Sequence, residues 1–242
     1  MAKTKNRKEF GEGLIFIITN YILWFVMGNI YFLLLNLPFV YVLFAILLNG
    51  NNKLPGGFSI LFLLCCIPIG PAVTALLSVM GKLIREKDVN LTKDFFKAYK
   101  ENFFQALYFW SIGIFMIGLL SFDIRYLIDN NYPSILAIIL YIVIAIIIIM
   151  GLYIFPIISR FYLKFSDILK FSAYYAVKKI HTTIMNLFSF AIIGFLFYKG
   201  LTFVLIFVSS VICFLIMFYE QTILLEIEEK IKTDNNPDAS SN

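Results

Sequence analysis

The stretch CIPIGPAVTALLSVMGKLIREKDVNLTKDFFKAYKENF, residues 66–103, opens with two prolines and a glycine inside an apolar run and closes in a charged, aromatic segment. Pro68 and Pro71 carry no backbone N–H and crowd the preceding turn, so in an unbroken helix the carbonyls near Leu64 and Ile67 lose their usual donors. In hydrocarbon such a break persists only where neighbouring helices or a polar cavity satisfy the freed groups, and Gly70 adds backbone freedom between the prolines. Directly behind it come Lys82, Arg85, Lys87, Lys93, Lys97 and Lys100, which mark a membrane boundary.

The rest of the 242-residue chain fits a bilayer. It is 61% hydrophobic and only 14% charged, with a mean hydropathy of +0.88, leaving too little polar surface to coat a water-soluble globule. Uncharged runs predict six spans near residues 21–48, 59–82, 103–122, 132–158, 182–198 and 201–219, each long enough to cross. With both termini inside, 17 of the 20 Lys and Arg residues fall on the inner side, and only Lys53, Arg125 and Lys199 remain outside. Dividing the first run at Asn36–Pro38 would move Lys82–Lys100 outside, so one long or tilted first span is expected. An interfacial segment over about 8–18 precedes it. The fold class is therefore an all-α polytopic bundle, N-in and C-in, forming a single domain over 1–232 with a disordered tail over 233–242. The run behind the basic N-terminus is too long for a signal-peptide core, so this segment is read as retained.

Two inner segments read as amphipathic cytoplasmic helices. From Leu91 to Leu107 the apolar positions Leu91, Phe95, Tyr99, Phe103 and Leu107 recur in four-residue steps, joined by Phe96 and Phe104. Asn90 or Thr92 is the expected cap, and the helix should lie along the inner face before turning into the third span. Its candidate contacts to a partner or to anionic lipid headgroups are Phe95, Phe96, Lys97, Tyr99, Lys100, Asn102 and Phe103. A second helix is expected from Ser166 or Asp167 through Lys179. The match of Phe96–Lys100 to Phe171–Tyr175 hints that the two hairpins repeat.

Function is less legible. The break at Pro68–Pro71 is either a packed kink or a discontinuous helix lining a substrate site, with Asn29, Pro68, Gly70, Pro71, Thr74 and Ser78 as candidate site residues. Asp123, Arg125 and Glu220 read as span-end groups, so no ionisable side chain is placed within a span and proton coupling is disfavoured. Three cysteines in apolar runs and one histidine, His181, form no metal or nucleophile pattern, so no enzyme activity and no cofactor is expected. The basic balance follows the membrane rule, and no nucleic-acid partner is expected.

The order of NYILWFV (20–26), IPIGPAVTALLSVMGKLIRE (67–86) and FFKAYKENFFQAL (95–107) resembles the YesL family of bacterial multi-pass membrane proteins, with FPIISRF (155–161) as a weaker echo. The likeness rests on Pro68, Gly70, Pro71, Ala72 and Ala75, then Phe96, Lys100, Asn102 and Phe103; the region between Pro38 and Pro68 is longer here. The resemblance implies a bacterial plasma-membrane protein without established biochemical activity. It further implies an accessory or assembly role in ABC-type carbohydrate uptake, with permease components as partners. The alternative is a small-solute transporter, or its substrate-capturing subunit, using the Pro68–Pro71 break.

Overall fold

The computed structural model describes residues 14–48, 58–199 and 206–235, and among these there is no strand. In chain order the helices are α1 (Leu14–Leu35), α2 (Leu37–Leu48), α3 (Phe58–Cys66), α4 (Ile69–Glu86), α5 (Leu91–Asp129), α6 (Ser134–Arg160), α7 (Phe165–Lys178), α8 (Ile180–Tyr198) and α9 (Val208–Asn235). Five segments are long and apolar enough to cross a membrane: Ile18–Leu35, Leu61–Glu86, Leu91–Asp129, Ser134–Arg160 and Val208–Thr233. A sixth is reached if Phe165–Lys178 and Ile180–Leu196, which meet at 87°, count as one bent pair. The protein is an all-α polytopic bundle.

Where one long first span is expected over 21–48, the chain forms two helices that meet at Asn36. Pro38 cannot donate to the preceding turn, and Asn36 closes α1 by donating its backbone N–H to Phe32 and Leu33 and its side-chain amide to the Phe32 carbonyl at 2.7 Å. Successive turns of α1 also meet different neighbours. Phe25 packs on Phe214 of α9, Gly28 lies against Leu76 and Met80 of α4, and Tyr31 stacks on Phe95 and Phe96 of α5. Helix α1 therefore crosses the bundle rather than following one partner. The expected interfacial segment falls partly on residues 8–13, outside the described residues; from Leu14 the chain is already helical. The expected last span begins at 201, and 201–205 lie outside the described residues; α9 continues past Tyr219 to Asn235.

Helix α4 is the hub. Three glycines set its distances: a Cβ on Gly70 would fall 2.4 Å from Trp110 of α5, one on Gly81 2.3 Å from Met217 of α9, and one on Gly28 of α1 3.0 Å from Leu76. Such contacts, closer than side chains permit, are how small residues let membrane helices approach. The deepest side chains gather toward the charged end of the molecule, with Leu76, Met80 and Leu83 of α4, Phe95 of α5, Ile157 of α6, Ile168 of α7 and Ile223 of α9 all buried. By contrast, the first half of α6 exposes Ile135, Ile138, Ile139, Ile142 and Ile146. A helix apolar on all sides is stable where its surroundings are hydrocarbon.

Two corrections concern the inner helices. The amphipathic segment from Leu91 does not turn upward into a separate span, because α5 is one helix of 39 residues, about 58 Å long at 1.5 Å per residue. Its buried stripe runs Leu91, Phe95, Ala98, Gln105 and Ala106 instead of keeping four-residue steps. Four residues advance a helix by about 400°, so a strict four-step row drifts about 40° per step and leaves the packed face. Helix α7, by contrast, is a separate element whose buried residues Ile168, Ser172 and Tyr175 form one face. The suggested repeat does not extend to packing. Ala98 is buried while Ala173 is exposed, and Lys100 is exposed while Tyr175 is buried.

Candidate functional site

At the break, α3 ends at Cys66 and α4 restarts at Ile69 with Pro68 as its cap. This restart makes the prolines harmless. Pro71 falls in the first turn of a new helix, where backbone N–H groups have no intrahelical acceptor in any case. Ile67 donates to the Leu64 carbonyl at 3.2 Å, replacing the bond that Pro68 cannot make. The Cys66 carbonyl accepts the indole N–H of Trp110 at 2.7 Å, and Thr74 donates its hydroxyl to the Gly70 carbonyl at 2.9 Å. Gly70, Pro71 and Thr74 are buried, Pro68 is partly buried, and Ser78 is half-buried one turn beyond Thr74. The structure thus brings Pro68, Gly70, Pro71 and Thr74 together as a packed, hydrogen-bonded kink.

Asn29 is engaged elsewhere in the bundle. Its carbonyl oxygen accepts the backbone N–H of Ser209 at 3.1 Å, tying α1 to the first turn of α9. Trp110, which satisfies the break, lies outside the sequence-derived set; its distance of 44 residues from Cys66 gives no local signal.

Beside the break lies a partly open chamber of about 490 Å³ between α1, α4, α5, α6, α8 and α9. Phe32, Val73, Leu77, Trp110, Phe155 and Ile212 are among its walls, and among the described residues no Asp, Glu, Lys, Arg or His lines it. Its chemistry is mainly apolar contact, with the Ser209 hydroxyl and the Cys213 thiol as the polar side chains beside Trp110 among the described residues.

One buried ionisable group overturns the reading of α9. Glu220, taken from sequence as a span-end residue, is fully buried within the apolar segment Val208–Thr233. Its Oε1 accepts the Asn186 amide of α8 at 3.1 Å, while its Oε2 and the Asn186 carbonyl oxygen have no hydrogen-bond partner among the described residues. Nearby, the Tyr153 hydroxyl of α6 pairs with Thr183 of α8 at 2.7 Å. Thr183, Asn186 and Ser189 recur every three residues on α8 and form its polar seam toward α6 and α9, with Ser189 donating to the Tyr219 hydroxyl at 3.4 Å. The signal was available in the three-residue spacing.

The charged end is ordered by a network of ion pairs. Arg160 at the end of α6 pairs with Glu228 of α9, Lys179 pairs with Glu226, and Lys178 lies 3.7 Å from the same carboxylate. Lys230 sits over the Tyr174 ring at 4.6 Å. These contacts occupy much of the basic charge of α7. The start of α5 differs. Asn90 caps it by accepting from the Lys93 N–H at 3.4 Å, and Asp94 accepts from the Asn90 N–H at 3.1 Å and from Lys82 at 2.9 Å. Thr92, the alternative cap, pairs with Tyr31 at 2.7 Å. Phe95 is buried, and Tyr99, Asn102 and Phe103 are partly buried. Phe96, Lys97 and Lys100 are exposed, as is Phe104 at 81%. Among the described residues, Lys97 pairs with an acid only in a solvent-exposed contact to Glu101 at 3.9 Å.

Among known families, the one described as "Protein of unknown function, DUF624" matches residues 22–124. The match runs from α1 through most of α5, taking in the break and the lysine-bearing helix start. No curated protein and no solved structure matches the chain.

Proposed function

We propose that the chain is a YesL-like protein of a bacterial plasma membrane, a non-enzymatic accessory or assembly factor for ABC-type carbohydrate uptake. In this reading it works through the exposed start of α5. The observation that carries the reading is the contrast at the charged end. Arg160, Lys178 and Lys179 are engaged by Glu226 and Glu228, leaving Lys170 as the exposed base of α7 outside these pairs, whereas Lys93, Lys97 and Lys100 stand exposed together on a helix fixed at its base by Asn90, Asp94 and Tyr31. From Leu91 to Asn102 this helix extends about 18 Å before its uncharged run begins. Anionic headgroups hold such a segment by about 1 kcal/mol per basic residue, leaving the aromatic face of Phe96 and Phe104 for a permease subunit. The match over residues 22–124 supports the family reading.

The rival reading, a small-solute carrier using the Pro68–Pro71 break, gains no support from the geometry there. The Thr74 hydroxyl and the Cys66 carbonyl are spent internally, and the adjoining chamber is apolar. The test is to delete the gene, measure sugar uptake, and purify the tagged protein from mild detergent. Reduced uptake together with co-purified permease subunits supports the accessory role. Unchanged uptake with the protein recovered alone contradicts it.

A further inference from the structure

We propose that the chamber beside the break binds one alkyl chain of a membrane phospholipid as an integral part of the fold. The inference rests on the chain crossing a membrane and does not depend on the uptake role. Protein interiors are close-packed, with few voids larger than a water molecule, yet this chamber measures about 490 Å³. Left unfilled, the apolar walls of such a space lose the contacts that close packing would give them.

Its walls decide what fills it. A buried water needs two to four polar partners, and the walls do not offer them. The Trp110 indole N–H is committed to Cys66, and among the described residues the other polar side chains on the walls are the Ser209 hydroxyl and the weakly polar Cys213 thiol. Among the described residues, no charged group lines it to hold an ionic solute. Every lining residue belongs to one of the span-length segments or to α8, so the medium within reach is hydrocarbon.

The shape fits as well. Gly113 of α5 lines the chamber, and a Cβ built there meets no atom within 4 Å; across from it, Gly151 of α6 has only Phe155 near, at 3.9 Å. Two residues without side chains thus leave open space at the chamber wall. A single alkyl chain is apolar, slender and free of hydrogen-bonding demand. Seated there it also touches Trp110, the residue that clamps the break.

Native mass spectrometry of the wild-type protein, after exhaustive exchange into mild detergent, is expected to show one retained phospholipid per chain. The second arm uses Trp24→Phe, which leaves Trp110 as the only tryptophan. In vesicles of phosphatidylcholine with brominated acyl chains, Trp110 should lose most of its emission relative to unbrominated vesicles. Adding Gly113→Phe fills the chamber and should restore most of that loss. Gly118→Phe, on the same helix and equally unobstructed but outside the chamber walls, should restore none. Wild-type protein free of phospholipid would overturn the proposal, as would a retained molecule that is not a lipid or quenching that Gly113→Phe leaves unchanged. Should Gly113→Phe fail to fold, the mass spectrum of the wild type decides alone.

Discussion

The Trp110 indole N–H and the Cys66 carbonyl oxygen meet at 2.7 Å, so the helix break in α3–α4 is closed by a side chain of α5. Replacing Trp110 with Phe keeps an aromatic ring but leaves that carbonyl unpaired in an apolar setting, a loss of about 1–3 kcal/mol. Gly70→Ala drives a methyl into Trp110 and costs a further ~1–3 kcal/mol by overpacking. Because both changes act on one contact, the double variant should lose less than the sum. Unfolding of the four proteins in one detergent measures this; full additivity would show that the two residues do not share the site.

Glu220 and Asn186 join α9 to α8 through one buried hydrogen bond. Glu220→Ala removes the acceptor and leaves the Asn186 amide buried without it, so stability should fall by about 1–3 kcal/mol. Glu220→Gln keeps an acceptor oxygen at the same reach and should stay close to wild type. Equal losses in the two variants would argue that the carboxylate itself, and not the hydrogen bond, is required.

Lys87 ends α4 in a left-handed conformation, at φ 57°, with its N–H on the Leu83 carbonyl at 2.9 Å. Such a position costs a side-chain-bearing residue about 1 kcal/mol relative to glycine. Lys87→Gly is therefore expected to raise the melting temperature in detergent. A lower value would mean that the Lys87 side chain makes a contribution larger than the backbone strain.

Much of the architecture was legible because it rests on composition and periodicity. The apolar runs, the start of α5 and the separate α7 all follow from local pattern. Where the reading failed, the cause was tertiary. A four-residue aromatic row suggests one face of α5, but tertiary packing buries Phe95, Ala98 and Gln105, the last donating to the Leu163 carbonyl, while Phe96, beside Tyr31, and Phe104 stay exposed. The first run carries a visible divider in Asn36 and Pro38, but the distribution of basic residues argues for one crossing. Helix α1 resolves this differently, since it crosses the bundle and ends at Asn36. In the break, Pro68, Gly70, Pro71 and Thr74 were found from sequence, yet Trp110 was not, because a long-range indole-to-carbonyl bond leaves no mark on local spacing.

The charge asymmetry predicts which side of the membrane each end occupies. Lys97 should face the cytoplasm and Lys199, just past α8, the exterior. In a background with Cys65, Cys66 and Cys213 replaced, a membrane-impermeant thiol reagent applied to intact cells should label Lys199→Cys and spare Lys97→Cys until the cells are opened. The reverse pattern would invert the topology and place the α5 lysines outside.

Photo-crosslinking from the start of α5 in living cells tests the central claim most directly. A photoreactive residue placed at Lys97, Lys100 or Phe104 should give an adduct with a permease subunit of a carbohydrate transporter, while the same residue at Gly118, farther along α5, should give none. Adducts confined to lipid at all four positions, or equal protein adducts at Gly118, would contradict the assignment of the exposed α5 start as the working surface.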